Sequence, residues 1–109
     1  MVTGAGFRIV FFGTPDFAVP TLQALCESRH YVVGVVTQPD RARGRGQRSQ
    51  PGPVTQVALQ RQLPILQPER LRDENFLESL RALDADLGVV AAYGKILTDA
   101  VLDIPRFGL

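Results

Sequence analysis

Residues 8–13 read RIVFFG, a short β-branched and aromatic run with apolar side chains at successive positions. Such a run is typical of a central strand in a parallel sheet, where both faces are buried. Working outward, YVVGVVT at residues 31–37 predicts a second buried strand and residues 64–66 a short third one. LGVVAA, which follows Asp86, predicts a fourth.

Apolar residues at helical spacing lie between these strands. Asp73 is expected to cap the amino terminus of one helix, while Pro20 and Pro53 suit the first turns of two others. A last short helix is expected from Thr98 to Leu102. The apolar positions are Phe17, Leu22, Leu25 and Cys26, then Val54, Val57 and Ala58, then Phe76, Leu77, Leu80 and Leu83. This alternation predicts one α/β domain over residues 1–109, a Rossmann-like parallel sheet of order 3-2-1-4 with helices on both faces.

Positive charge is concentrated in one segment of the chain. Gln38 to Pro53 has almost no apolar side chain, so these sixteen residues are predicted to form a basic loop insertion. The net charge is only +1, but residues 41–48 hold four of the twelve basic residues, while the remainder has eight basic and eleven acidic ones. The four are Arg41, Arg43, Arg45 and Arg48. A basic island of guanidinium groups favours RNA phosphate contact, and a solvated basic loop is the alternative.

Two turns at the carboxyl ends of predicted strands are candidate binding segments, because open α/β sheets bind ligands at that edge. Gly13, Thr14, Pro15, Asp16 and Phe17 follow the first strand, and Gly13 lets a substrate approach the backbone. An ordinary tight turn is the alternative.

The second segment runs from Ala91 to Leu97. Its backbone groups can hydrogen-bond a flat heterocycle, and Tyr93 offers a ring and a hydroxyl. A strand-to-helix turn with a half-buried tyrosine is the simpler explanation of this segment taken alone.

Other classes of function have little support in the sequence. Cys26 is the single cysteine, which fits a reducing compartment, and no Cys/His cluster has metal-ligand spacing. His30 is interpreted as a surface or packing residue. Residues 1–7 are interpreted as a leader without the basic start of a signal peptide, and the longest apolar runs are too short to cross a bilayer. We therefore expect a cytoplasmic protein without metal or membrane.

Taken together, several segments resemble the methionyl-tRNA formyltransferase family. These are RIVFFGTPDFAVPTLQAL at residues 8–25, VVGVVTQPDRARGRG at 32–46, ADLGVVAAYGKIL at 85–97, and Ile104 to Gly108. The first two segments are highly specific, and the third is shared with other enzymes that use 10-formyltetrahydrofolate. The resemblance runs in register from Arg8 to the last residue.

The resemblance implies transfer of a formyl group from 10-formyltetrahydrofolate to the amino group of methionyl initiator tRNA. It implies that Gln38 to Pro53 reaches the tRNA acceptor stem through Arg45 and Arg41, with Arg43 and Arg48 at more variable positions. The Gly13 to Phe17 turn would form the wall near the aminoacyl end. The stretch Tyr93, Gly94, Lys95, Ile96 and Leu97 would line the pterin pocket of the co-substrate.

The chain also departs from the family pattern. The family's catalytic segment, with an Asn-x-His run, a Ser-Leu-Leu-Pro turn and a later aspartate, is not found in these 109 residues. We therefore expect an amino-terminal, incomplete formyltransferase domain that is inactive alone. The alternatives are an RNA-binding module without catalysis and a part of a related folate-dependent formyltransferase acting on a nucleotide sugar or small amine. The fourth strand, at an open edge, is expected to allow self-association.

Overall fold

The computed structural model describes residues 6–39, 41–42, 49–95 and 97–109. Outside residues 41–50, its strands and helices alternate along the chain as the sequence predicts. In chain order they are β1 (Arg8–Gly13), a short 3-10 turn (Asp16–Ala18), α1 (Val19–Cys26), β2 (Tyr31–Val36), β3 (Arg41–Ala42), β4 (Ser49–Gln50), α2 (Pro53–Gln60), β5 (Ile65–Leu66), α3 (Glu74–Ala82), β6 (Leu87–Ala91) and α4 (Asp99–Leu102).

Four of the strands form one parallel sheet in the order β5-β2-β1-β6. Because β5 and β6 are the third and fourth strands of this sheet along the chain, the predicted order 3-2-1-4 is confirmed. β1 lies inside the sheet, with Phe12 opposite Val36 of β2 on one side and Val90 of β6 on the other. All four strands therefore end at the same edge.

Successive residues of β1 point to opposite faces of the sheet, and each face has its own core. Val10 and Phe12 belong to a cluster with residues of α3 and α4, including Leu80 and Val101. Phe11 belongs to a second cluster with residues of α1 and α2. The predicted helical cover on both faces is confirmed.

The helix ends follow from local sequence. Asp73 caps α3, because its Oδ1 accepts a hydrogen bond from the Asn75 N–H at 2.9 Å. Thr98 caps α4 in the same way, accepting from the Val101 N–H at 3.3 Å. Pro53 occupies the first turn of α2, where a missing N–H costs nothing.

The basic segment differs from its prediction. It was expected to be a loop throughout, but β3 and β4 pair antiparallel within it, Arg41 with Gln50 and Ala42 with Ser49. We call these four residues the hairpin stem. The pairing is formed by backbone groups, so the absence of apolar side chains, on which the loop prediction rested, did not exclude it.

The outer edge of β6 is partly covered. Phe107 N–H donates to the Asp86 carbonyl at 2.6 Å, and Gly88 N–H donates to the Gly108 carbonyl at 2.9 Å. Val90, further along the strand, is 44% exposed. The predicted open edge is therefore confined to the later part of β6, and self-association through it stays a prediction.

Within the described ranges, no helix is both long enough and apolar enough to cross a membrane.

The two-sided core predicts a large difference between two leucine truncations. Leu80 of α3 is completely buried, whereas Leu59 of α2 is 56% exposed. Leu80→Ala should lower the free energy of unfolding by about 3 kcal/mol through lost burial and a residual cavity. Leu59→Ala should lower it by less than about 1 kcal/mol. Urea denaturation followed by circular dichroism measures both, and similar losses in the two variants would contradict this packing.

Candidate functional site

An open crevice of about 440 Å³ lies at the carboxyl ends of β1, β2 and β6. Its lining comes from three segments that each follow one of these strands: Thr14 and Pro15, Gln38, and residues 92–95. Because parallel strands end at the same edge, these segments meet although they are far apart in the sequence.

The hydroxyl of Thr14 joins all three segments. It donates to the Tyr93 carbonyl at 3.1 Å and accepts from the Gln38 N–H at 3.2 Å. It also accepts a longer hydrogen bond, at 3.4 Å, from the Thr37 hydroxyl. A hydroxyl has one proton and two lone pairs, so Thr14 uses its full hydrogen-bonding capacity inside the protein.

The turn after β6 has an unusual backbone. Ala92 has φ of 58° and Gly94 has φ of 98°, so both lie in the left-handed region. For alanine this conformation costs roughly 1–2 kcal/mol. The Tyr93 carbonyl between them accepts two hydrogen bonds, from Thr14 Oγ1 at 3.1 Å and Gln38 Nε2 at 3.0 Å. These contacts from neighbouring segments offset the local cost and fix the orientation of the Tyr93–Gly94 peptide.

Two backbone N–H groups of this turn are candidate hydrogen-bond donors to a ligand. The N–H groups of Gly94 and Lys95 have no hydrogen-bond acceptor among the residues that the structure describes. Both residues are exposed and line the crevice. The ammonium of Lys95 is held to one side, because its Nζ donates to the Glu69 carbonyl at 2.6 Å. The arrangement suits a flat ligand with acceptor atoms along one edge.

The side chain of Tyr93 belongs to the core. It is 2% exposed, and its ring meets Phe12 edge-on with centroids 5.7 Å apart. Its hydroxyl has no hydrogen-bond partner in the described part of the chain. Desolvation by burial raises the pKa of Tyr93 from 10.0 to about 12. The ring and hydroxyl proposed as ligand contacts therefore lie in the core with α3 and α4, and the tyrosine is more deeply buried than the half-buried alternative expected. At the crevice, the backbone carbonyl of Tyr93 makes the contacts.

The residues of the predicted substrate-binding turn lie in different environments. Thr14 and Pro15 line the crevice, while Asp16 and Phe17 are exposed in the 3-10 turn that follows. Gly13 is buried, and an added Cβ would lie 2.6 Å from the Phe11 ring. Close packing within the sheet therefore accounts for this glycine, and substrate contact by Gly13, Asp16 and Phe17 stays a prediction.

The other predicted site residues have different positions. Tyr93, Gly94 and Lys95 line the crevice, and half-buried Leu97 packs against the core. Ile96 lies outside the described residues. Arg41 starts β3, which places its backbone in the hairpin stem. Three predicted tRNA-binding residues also lie outside the described residues: Arg43, Arg45 and Arg48.

Sequence reasoning missed two glutamines. Gln38 was noticed only as the first residue of the basic segment, and Gln67 was not singled out. Gln67 Nε2 donates to the Gln38 carbonyl at 3.3 Å and, weakly, to the Thr55 hydroxyl at 3.5 Å. A usable signal existed, because Thr14, Gln38 and Gln67 are all polar residues just beyond an apolar strand.

Two further features lie away from the crevice. A smaller cavity of about 280 Å³ is lined in part by Cys26, His30 and Arg61. Burial raises the pKa of the Cys26 thiol, and the nearby Arg61 charge opposes this effect. His30 Nδ1 accepts from the Phe7 N–H at 3.0 Å, as expected of a packing residue. No group of three or more His, Cys, Asp or Glu side chains that could hold a metal is found where the chain is described.

Comparison with known proteins gives a consistent result. The family model described as formyl transferase matches residues 7–109. A methionyl-tRNA formyltransferase from a Sulfurihydrogenibium species is 50% identical over 101 residues, which are 92% of this chain and 32% of that protein. Proteins of the same name from Citrifermentans bemidjiense and Chloroflexus aggregans are 54% and 56% identical, over 94% and 93% of this chain. The chain spans about a third of the length of these relatives. It covers 32% of the Citrifermentans protein and 33% of the Chloroflexus protein.

The burial of Tyr93 predicts its titration. The chain has two tyrosines, so the Tyr31→Phe variant retains Tyr93 alone. Its absorbance at 295 nm should rise with a midpoint near pH 12, the raised pKa of Tyr93. Since the folded state holds this proton more tightly than the unfolded state, its contribution to stability is full below about pH 10 and declines as the pH rises toward 12. A midpoint near pH 10, with circular dichroism still showing the native fold, would contradict the burial.

Proposed function

Because the chain belongs to the formyl transferase family, we propose that it supplies the donor crevice and the tRNA-binding segment of a methionyl-tRNA formyltransferase. Such an enzyme moves a formyl group from 10-formyltetrahydrofolate to the amino group of methionyl initiator tRNA. It must hold a small planar donor and a large anionic acceptor side by side.

One observation carries the proposal: Gln38 both lines the crevice and begins the basic segment. The basic segment therefore begins at the rim of the crevice. A polyanion held by the arginines would have its reactive end near a ligand in the crevice. The alternative of a small acceptor has no comparable observation in its favour, since a small acceptor needs no basic segment at this position.

The crevice also fits the donor. A pterin is flat and has hydrogen-bond acceptors along its edge. The N–H groups of Gly94 and Lys95, which have no acceptor among the described residues, are matching donors. The walls formed by Pro15 and Ala92 are apolar. In this proposal the donor supplies the formyl carbon, and the turn after β6 holds its ring.

Transfer itself needs more than these residues. The attacking amine must lose a proton, and the developing oxyanion must be stabilised. Of the described residues that line the crevice, Tyr93 and Lys95 have ionisable side chains. The hydroxyl of Tyr93 is buried and keeps its proton up to about pH 12, and the Lys95 ammonium donates to Glu69. The proposal therefore assigns binding, and not catalysis, to this chain alone.

We expect the basic segment to bind RNA through phosphates. The 109-residue chain should bind a hairpin of the initiator tRNA acceptor stem at low salt, and Arg45→Ala should weaken binding several-fold. Removing one phosphate contact should lower the slope of log affinity against log salt by about 1. Fluorescence anisotropy at several salt concentrations measures both quantities.

Arg29→Ala is the matched control, because it removes the same charge from an exposed residue that precedes β2 at the opposite edge of the sheet. Equal weakening by the two substitutions would contradict a dedicated tRNA-binding segment.

We expect the donor to occupy the crevice. On titration with 5-formyltetrahydrofolate, a stable isomer of the donor, the amide NMR signals of Gly94 and Lys95 should move in a saturable way. The amides of Val32 and Leu63, which line the cavity near Cys26, are the internal control and should stay unchanged. Saturable shifts at those two residues alone, or none at Gly94 and Lys95, would contradict the donor assignment.

A further inference from the structure

Gln38 is hydrogen-bonded through every part of its backbone and through its side chain. Its N–H donates to Thr14 Oγ1 at 3.2 Å, its carbonyl accepts from Gln67 Nε2 at 3.3 Å, and its Nε2 donates to the Tyr93 carbonyl at 3.0 Å. Three separate segments, those after β1, β5 and β6, therefore fix the residue from which the basic segment starts.

Stability alone does not explain this glutamine. Its Oε1 is buried without a hydrogen-bond partner in the described part of the chain. A buried unpaired acceptor is unfavourable, so an apolar side chain of similar size would avoid that cost while losing only one hydrogen bond. What a glutamine supplies here, and an apolar residue cannot, is the donor that holds the Tyr93 carbonyl.

The Tyr93 carbonyl determines where the crevice donors point. In a trans peptide the C=O and the following N–H point in opposite directions, so fixing the carbonyl also fixes the Gly94 N–H. The intrinsic backbone preferences of the flanking residues do not favour this orientation. Ala92 and Gly94 have φ of 58° and 98°, and L-residues rarely adopt such angles without support from neighbouring contacts. A change at Gln38 should therefore turn the N–H of Gly94, a residue that lines the crevice.

The other side of Gln38 leads to the hairpin stem. Pro39 follows it directly, and a proline ring fixes its own φ, so this position absorbs little reorientation. Gln67 adds a second connection, because it contacts the Gln38 carbonyl before the stem and Thr55 of α2 after it. Gln67 therefore contacts residues on both sides of the hairpin stem in the sequence.

We propose that Gln38 is a positioning residue that couples the hairpin stem to the Tyr93–Gly94 peptide, so that the stem and the donor side of the crevice change position together. This extends the proposed function, because it would link binding of the acceptor to binding of the donor. Coupling of this kind is reciprocal, so each ligand would change the affinity for the other by the same factor.

The test uses the 109-residue chain without RNA or folate, so it can fail while the proposed function stands, or the reverse. Gln38→Met removes both the donor to Tyr93 and the unpaired acceptor. In ¹H–¹⁵N spectra, the amide signals of Gly94 and of the hairpin stem should both move. The midpoint of thermal unfolding should stay within about 4 °C, a range that corresponds to a small change in stability.

Gln23→Met, at an exposed position of α1, is the matched control and should leave both sets of signals in place. If Gln38→Met moves the amide signals of only Gly94 or only the hairpin stem, or of neither, the proposal is overturned. A large fall in the unfolding midpoint with loss of the native spectrum would also overturn it, because Gln38 would then be a structural residue.

A second variant tests the coupling from the crevice side. An added Cβ at Gly94 would lie 3.4 Å from Gln38 Nε2, and the φ of 98° disfavours any side chain. Gly94→Ala should move the stem signals in the native background and leave them unchanged in the Gln38→Met background. Equal movement in both backgrounds would show that the coupling does not pass through Gln38.

Discussion

The fold depends on the enclosure of β1. This strand is hydrogen-bonded to β2 on one edge and to β6 on the other, and a helical layer covers each of its faces. A strand enclosed on four sides must be apolar at successive positions, as residues 9–12 are. Because its neighbours are parallel to it, their carboxyl ends meet beside its own, and the residues that follow them form the crevice.

Much of the fold could be predicted because each element has a strong local signal. The apolar runs of β1, β2 and β6 have no polar face, the α3 residues Phe76, Leu77 and Leu80 repeat at helical spacing, and Asp73 is a common helix cap. The order of the sheet then follows from right-handed crossovers between parallel strands. The position of the crevice, at the carboxyl ends of these strands, was predictable for the same reason.

The contacts at that edge were not predictable from the sequence. Whether Tyr93 points to the crevice or to the core depends on the backbone of Ala92, and a left-handed alanine has no sequence signature. Gln38 bonds to Tyr93 across 55 positions in the sequence, and only the folded sheet brings them together. The hairpin stem was missed because backbone pairing, rather than side-chain burial, defines it.

The saturated hydroxyl of Thr14 has a consequence for hydration. Its proton and both lone pairs are used within the protein, so this hydroxyl has no hydrogen-bonding capacity left for water in the crevice. Beside it lie the apolar surfaces of Pro15 and Ala92. If a planar ligand covered these two surfaces, a decrease in heat capacity would accompany the burial of their apolar area.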